Sequence, residues 1–210
     1  MTSFAGSPIP DHVLSKSQAE DLLEPHRARL DQCIQHGWIA WTQDYAHKHH
    51  ILSPRARAII IFDEIAAKAK ELFSIPGVVF APKNNSFLLF IGDNIIIRFK
   101  KIGKNGRCSN IKTHQQTLFQ AQQMVIPGLE PPTAMTAGYV LDDLQLNIAR
   151  KLVVCQFDNE VLWTIELLGE SGAGAQVVSM TPPQPPASPK THFKPKDETI
   201  SLPKKKKNEK

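Results

Sequence analysis

Two apolar runs separated by a three-residue reversal constrain the fold of this chain more than any other feature. Residues 87–91 and 95–99 are rich in β-branched and aromatic side chains, which favour strands. The Gly-Asp-Asn sequence at residues 92–94 tolerates a tight turn between them. The pattern therefore predicts a β-hairpin and makes a β-sheet part of the fold.

The second strand of this hairpin ends in basic residues. Side chains alternate between the two faces of a strand, so Arg98 and Lys100 share one face. Ile97, Phe99 and Lys101 share the other. Charges that prolong an apolar strand disturb sheet packing unless the strand has reached an edge, where charges also block aggregation. This placement predicts a surface that meets a polar ligand.

Helical patterns precede the hairpin. Residues 17–45 repeat apolar positions at helical spacing, and Ser17 begins a capping-box signature. Pro25 interrupts this segment and predicts a second helix that begins there, because proline fits the first turn of a helix. Ser53 precedes a proline and predicts the start of a further helix that ends at Phe73.

After residue 77 the apolar period changes to two. Besides the hairpin, this period predicts strands at 78–81, 136–141, 151–157 and 161–167. Thr113 and Gln116 form a capping box for one helix between the third and fourth strands. The sequence thus predicts an α+β fold in which N-terminal helices pack on a mainly antiparallel sheet of about six strands with one inserted helix.

The chain divides into four segments on the same evidence. We expect a flexible N-terminus at 1–16, a helical region at 17–50, an α+β core domain at 51–168 and a disordered basic tail at 169–210. Residues 171–210 hold 8 Lys and Arg against 3 Asp and Glu, which accounts for the whole net charge of +5. The tail is rich in proline and lysine and lacks apolar periodicity, and its lysine run predicts at most nonspecific, salt-sensitive contacts with acidic surfaces.

Composition limits the class of protein. No run approaches the roughly 18 apolar residues of a membrane span, and residues 1–10 lack the pattern of a secretory signal. We therefore expect a cytoplasmic protein that does not bind membranes. Cys33, Cys108 and Cys155 are widely spaced, which favours reduced thiols over disulfides or a Cys-x-x-Cys metal site.

The sequence assembles no catalytic or metal-binding constellation. His47, His49 and His50 cluster without a His-Glu-x-x-His pattern and are more typical of a helix end. One nuclease type combines a helix glutamate, a hairpin aspartate and a Glu-x-Lys strand, and Glu64, Asp93 and Lys100 occur here in that order. Arg98, however, occupies the position of the second acidic metal ligand and would repel a divalent cation. We expect no cofactor, no metal and no catalytic residue, so the sequence favours binding over catalysis.

The helix after the hairpin carries a row of amides. Gln116, Gln120 and Gln123 stand at i, i+4 and i+7 and are predicted to share one helix face, with Gln115 and Gln122 to the side. This face is either solvated or part of a binding site. Amides donate and accept hydrogen bonds, so they suit a nucleic-acid backbone or a partner's main chain. The candidate binding site for a protein or a nucleic acid comprises Arg98, Lys100, Lys101, Ser109, Asn110, Thr113, Gln116 and Gln120.

Residues from about 20 to 168 resemble a little-characterised bacterial family. The motifs that carry the resemblance are Ser53-Pro54-Arg55-x-Arg57-Ala58 with Asp63, Phe87-Leu88-Leu89, Arg98-Phe99-Lys100-Lys101, Ser109-Asn110-Ile111-x-Thr113-x-Gln115-Gln116, Ala137-Gly138-Tyr139-x-Leu141 and Leu162-Trp163. The resemblance implies a gene that lies beside one for a protein that joins an Xre-type helix-turn-helix to an ImmA/IrrE-type metallopeptidase. Such pairs are typical of toxin-antitoxin or phage-defence systems, and the resemblance implies no catalytic residues.

Two functions from different classes remain open. In the preferred one, the protein is a non-enzymatic interaction component of a two-gene toxin-antitoxin or phage-defence system and binds the neighbouring protein through the candidate site. In the alternative, it is a toxin that uses the same surface to bind or cleave RNA or DNA. A metallopeptidase partner would also allow regulatory cleavage after Glu170, where the tail begins.

Overall fold

Three helices precede the sheet in a computed structural model of this chain, which describes residues 8–83, 86–108, 113–124 and 130–167. They are α1 (Lys16–Leu23), α2 (Arg27–Asp44) and α3 (Pro54–Leu72). Short 3-10 turns, Glu24–His26 and Ala46–Lys48, join them. Pro25 lies in the first of these turns. The interruption predicted at Pro25 is therefore confirmed, but α2 begins two residues later.

Serine side chains cap two of these helices. Ser53 accepts a hydrogen bond from the backbone N–H of Ala56 at 3.2 Å, which confirms the predicted start of α3. The capping box of α1 is formed by Ser15 and Gln18 rather than by the predicted Ser17. Both serines have the required spacing, and the earlier one is used because the helix starts one residue before Ser17.

Six strands form one sheet in their sequence order. The strands are β1 (Val78–Lys83), β2 (Ser86–Ile91), β3 (Ile95–Lys101), β4 (Thr133–Leu141), β5 (Ile148–Phe157) and β6 (Glu160–Glu166). All neighbours are antiparallel except β3 and β4, which are parallel. The crossover between them contains α4 (His114–Gln120). The predicted α+β class, mainly antiparallel sheet and inserted helix are confirmed.

The helices α1 to α3 cover one face of the sheet and share its main hydrophobic core. At Gly37, α2 approaches α3 so closely that a Cβ would lie 2.6 Å from Cγ1 of Ile65. An ion pair also ties α2 to β5, because Nζ of Lys151 lies 2.7 Å from Oδ1 of Asp31 and both side chains are almost buried. These contacts fix the helical layer on the sheet.

The opposite face carries α4 and two smaller apolar clusters. The first contains Leu88, Ile96, Phe119, Met124 and Ala134, and the second contains Ile102, Cys108, Val140, Leu152 and Val154. Beneath them β3 and β4 approach closely, since a Cβ at Gly138 would collide with the main-chain carbonyl of Lys100. The second face therefore depends on a glycine in the middle of β4.

Residues just before α1 differ from the predicted loose N-terminus. The Leu14 N–H donates to Oγ1 of Thr133 at 3.0 Å, and Nε1 of Trp163 donates to the Leu14 carbonyl at 3.0 Å. His12 also contacts the Gln122 carbonyl through Nε2 at 2.9 Å. The predicted tail at 169–210 lies outside the described residues. None of the helices in the described part of the chain is long and apolar enough to cross a membrane.

Candidate functional site: a basic cleft beside β3

Strands β2 and β3 separate after a short stretch of pairing. Their register covers only Leu89 with Ile97, Phe90 with Ile96 and Ile91 with Ile95. The first half of β2 stays paired with β1 instead. A cleft of about 1150 Å³ opens beside the second half of β3. We call it the basic cleft; its cationic lining residues are Arg55, Arg98, Lys100, Lys101 and Arg107.

Arg98 lies in the floor of the basic cleft under α4. Its Nη1 donates a hydrogen bond to Oε1 of Gln116, and its Nε lies 3.5 Å from Oγ1 of Thr136. The guanidinium carbon stands 3.8 Å from the ring centroid of Phe119, a cation–π contact. Burial lowers the pKa of Arg98 to about 10, so the group remains a cation at neutral pH.

The contact between Arg98 and Gln116 leaves two donors unused. Gln116 is only 5% exposed, and its Nε2 has no hydrogen-bond partner among the described residues. Nη2 of Arg98 is also buried and without such a partner. A buried donor without an acceptor costs about 1–3 kcal/mol, and more when it is charged. Two buried N–H groups that lack an acceptor among the described residues therefore lie in the floor of the basic cleft, and an anionic acceptor would satisfy them.

The N-terminus of α4 is capped by Thr113, which lies at the basic cleft. The hydroxyl of Thr113 accepts a hydrogen bond from the backbone N–H of Gln116 at 3.2 Å, which is one half of the predicted capping box, whereas the side chain of Gln116 accepts from Arg98. This cap places Gln116 in the first turn of α4, directly above Arg98.

The other end of the crossover is fixed by Gln122. Its side chain is 1% exposed and exchanges two hydrogen bonds with the main chain of Ala134, at 2.7 and 2.9 Å. Its Nε2 also donates to the Gln156 carbonyl at 2.8 Å. The β4–β5 register begins one residue later, at Met135, so this amide bridges the two strands where their own pairing stops. Gln122 adopts a φ of 57°, which turns its side chain into the sheet.

A tight loop after β3 places Arg107 at the rim. The Gly103 N–H donates to the Arg107 carbonyl at 2.8 Å, and Gly106 turns the chain with a φ of 76°. Nε2 of Gln156 donates to the Gly106 carbonyl at 3.1 Å and holds the loop against β5. The Arg107 side chain remains exposed and lines the basic cleft.

Cations from three elements surround the floor. Arg55 at the start of α3 and Lys101 at the end of β3 are exposed. Burial lowers the pKa of Lys100, and the nearby Arg98 cation lowers it further. The described residues that line the basic cleft include no aspartate or glutamate. The cleft therefore combines a positive rim with a buried positive charge.

The structure brings together only part of the predicted site. Arg98, Lys100, Thr113 and Gln116 line the basic cleft on the α4 side. Lys101 lies on the other face of β3, as its alternation predicted, yet it lines the same cleft because β2 is not paired there. The predictions for Ser109 and Asn110 fall outside the described residues.

The predicted row of glutamines does not form. Helix α4 ends at Gln120, so Gln123 does not continue its face. Gln120 is half-buried and is not among the residues that line the basic cleft. Gln116 and Gln122 are buried and bonded inside the protein, contrary to the expectation of one amide surface. The helix ends early because the chain turns at Gln122 to reach β4.

The sequence pattern did not identify Arg55, Arg107 and Phe119 as site residues, although they line the basic cleft. Arg55 lies on a different element, Arg107 is placed by the loop after β3, and Phe119 is buried on α4. The motif at 53–58 and the Gly-rich turn at 103–106 were the available signals.

The chemistry of the basic cleft suits binding. Its described lining residues contain neither a carboxylate nor a histidine, so a general acid–base pair is not assembled from them. Cys108 lines the cleft, but burial raises the pKa of its thiol and keeps it protonated. Within the described ranges, no three His, Cys, Asp or Glu residues stand close enough together to hold a metal ion.

Comparison with known proteins adds no homologue to this description. No protein-family model, no curated protein and no solved structure matches the chain.

Proposed function

We propose that this chain is a non-enzymatic interaction protein that binds an acidic surface of a partner protein in the basic cleft. The observation that supports this proposal is the largely buried Arg98 cation, whose Nη2 is fully buried and which has no carboxylate partner among the described residues that line the cleft. A buried charge is normally paired, because its desolvation costs several kcal/mol. A partner that supplies the carboxylate would offset this cost on binding.

The first partner to test is the one that the family resemblance implies. That partner is a neighbouring gene product that joins an Xre-type helix-turn-helix to an ImmA/IrrE-type metallopeptidase, and the pair would form a toxin-antitoxin or phage-defence system. Complementary charge at such an interface speeds association and excludes wrong partners.

Co-purification tests this proposal. The tagged full-length chain is co-expressed with its neighbour, either as wild type or as the rim variant Arg55→Glu/Arg107→Glu. Both arginines are exposed, so their reversal spares the core. The control is Lys16→Glu/Lys48→Glu, which makes the same change in net charge at two exposed sites away from the basic cleft.

We expect the neighbour to co-purify with the wild type and the control but not with the rim variant. Equal recovery with all three would contradict the cleft as the interface. Growth of cells that express this gene alone separates the two roles within the pair. Normal growth assigns it the neutralising or scaffolding role, and arrest assigns it the toxic one.

A second candidate function is nucleic-acid binding. The cluster of five cationic lining residues favours it, because phosphate contacts are made mainly by arginine and lysine. Binding of a labelled single-stranded RNA or DNA that weakens steeply with added salt and is lost in Arg55→Glu/Arg107→Glu would support this function. Absence of binding at low salt would exclude it.

A further inference from the structure

We propose that Arg98 and Gln116 form a clamp for one carboxylate, supplied by an aspartate or glutamate side chain of the partner, and that a bulky apolar residue beside it packs on Leu88, Phe119 and Met124. This inference rests on the proposed function and deepens it, because it specifies the chemical group and its neighbour. The clamp is the pair of unpartnered donors, Nη2 of Arg98 and Nε2 of Gln116.

Covalent geometry limits the distance between these two donors. In Arg98, Nη1 and Nη2 share the carbon Cζ, and in Gln116, Oε1 and Nε2 share the carbon Cδ. The hydrogen bond from Nη1 to Oε1 joins the two groups, so Nη2 and Nε2 each lie two covalent bonds from that contact. A carboxylate has two oxygens that accept such a pair of N–H groups, which is the geometry that arginine recognises best.

Charge favours a carboxylate over a phosphate monoester at this point. The clamp itself contributes one cation and one neutral amide, which balance a single negative charge, and the half-buried Lys100 lines the cleft near Arg98. A phosphate monoester carries about −1.5 to −2 at neutral pH and would leave excess charge desolvated beside the Phe119 ring. The rim arginines are exposed and too well hydrated to remove that cost. A nucleic-acid phosphodiester carries one negative charge, as a carboxylate does, and it is the apolar lining that favours the carboxylate of a protein over it.

The side chains that surround the clamp are apolar. Leu88, Phe119 and Met124 belong to one hydrophobic cluster and line the basic cleft around Arg98. A cleft of about 1150 Å³ exceeds the space of a single carboxylate and holds several side chains. An acidic residue next to a leucine, isoleucine, methionine or aromatic residue therefore matches the floor better than a purely acidic segment does.

Peptide selection on the full-length protein tests the clamp. Random peptides are displayed at an internal position, so that none has a free C-terminus, and are selected on wild type and on Arg98→Gln. We expect wild type to enrich sequences in which an acidic residue adjoins a bulky apolar one, and Arg98→Gln to lose that enrichment. Thermal unfolding of Arg98→Gln confirms that the variant is folded.

A thermodynamic cycle then locates the carboxylate. The best selected peptide and its Glu→Gln or Asp→Asn form are titrated against wild type, Arg98→Gln and Gln116→Leu. We expect removal of the acidic group to weaken binding to wild type at least tenfold, and to have little further effect on the Arg98→Gln protein. Such non-additivity shows that the two groups touch.

Several outcomes would overturn the clamp. In the selection, these outcomes are no enrichment on wild type, or enriched peptides without an acidic residue. In the cycle, the outcome is that Arg98→Gln and the loss of the peptide's acidic group act independently. The last is Arg98-dependent binding of a labelled single-stranded RNA in the absence of peptide binding. If the neighbouring protein still needs the rim arginines while Arg98→Gln binds it normally, the clamp is wrong and the proposed function stands. If neither rim nor floor matters, both are wrong.

Discussion

Arg98 of β3 donates a hydrogen bond to Gln116 of α4, and each residue is left with a buried donor that has no partner among the described residues. A charge at this position departs from the apolar pattern of β3, since the same strand carries isoleucine at 95, 96 and 97. Departures from optimal packing and hydrogen bonding are expected at functional sites, where activity requires groups that do not stabilise the fold. The pair is therefore the strongest indication of function in the molecule.

Replacing Arg98 by methionine tests whether the residue serves stability. Arg98→Met loses the bond to Gln116 and the contact with the Phe119 ring, but it removes a desolvated cation. We expect the free energy of unfolding to stay within about 1 kcal/mol of wild type in urea denaturation, since these effects offset each other. A loss above about 3 kcal/mol would show that Arg98 is a structural residue.

Gln122 is expected to matter far more for stability. Gln122→Leu removes three strong hydrogen bonds and leaves the main chain of Ala134 and the Gln156 carbonyl without their partner. We expect a loss of at least about 3 kcal/mol in the free energy of unfolding. Gln123→Ala, at an exposed position, is the control and should change it by less than about 0.5 kcal/mol. Equal effects of the two would contradict the bridging role of Gln122.

The close approach of β3 and β4 makes Gly138 sensitive to any side chain. In Gly138→Ala the new Cβ would collide with the Lys100 carbonyl, so the strands must separate beside the basic cleft. We expect a loss of at least about 2 kcal/mol in the free energy of unfolding. Gly92→Asn is the matched control, because nothing lies within 4 Å of Gly92 and asparagine tolerates its φ of +56°. A stable Gly138→Ala protein would refute this packing.

The burial of the three thiols predicts how their reactivity and the stability of the folded state depend on pH. Burial raises the pKa of Cys33 and of Cys155 to about 12, and it also raises that of Cys108. A disulfide reagent should therefore label the native protein slowly at pH 8 and faster as the pH rises, whereas unfolded protein should react at once. Thiols ionise near 9.0 in the unfolded chain, so the folded state should lose stability above that pH. Rapid labelling of native Cys155 at pH 8 would contradict its burial.

Much of the fold could be predicted from the sequence because its signals are local. Ser53 and Thr113 cap helices as their spacing predicts, and the turn at 92–94 joins two strands. The alternation along β3 correctly assigned Arg98 and Lys101 to opposite faces. These features depend on residues only a few positions apart.

The rest depended on contacts between distant parts of the chain. No local signal shows that β2 leaves β3 after three pairs, and this separation is what lets residues of both faces line one cleft. The sequence pattern predicts that Gln122 lies on a helix, yet its side-chain amide bridges β4 and β5. Arg55 and Arg107 reach the cleft only because α3 and the loop after β3 are held in place by tertiary contacts.

The most direct test of the central claim is a nuclear magnetic resonance titration of the Arg98 side chain. The Nε–Hε signal of Arg98 is followed in wild type while acetyl-Glu-Leu-amide is added at millimolar concentrations, and acetyl-Gln-Leu-amide is the control ligand. We predict a saturable shift of this signal with the glutamate ligand, none with the glutamine ligand, and loss of the glutamate effect elsewhere in the cleft in Arg98→Gln. An unchanged Arg98 signal, or equal shifts with both ligands, would contradict carboxylate binding in the basic cleft.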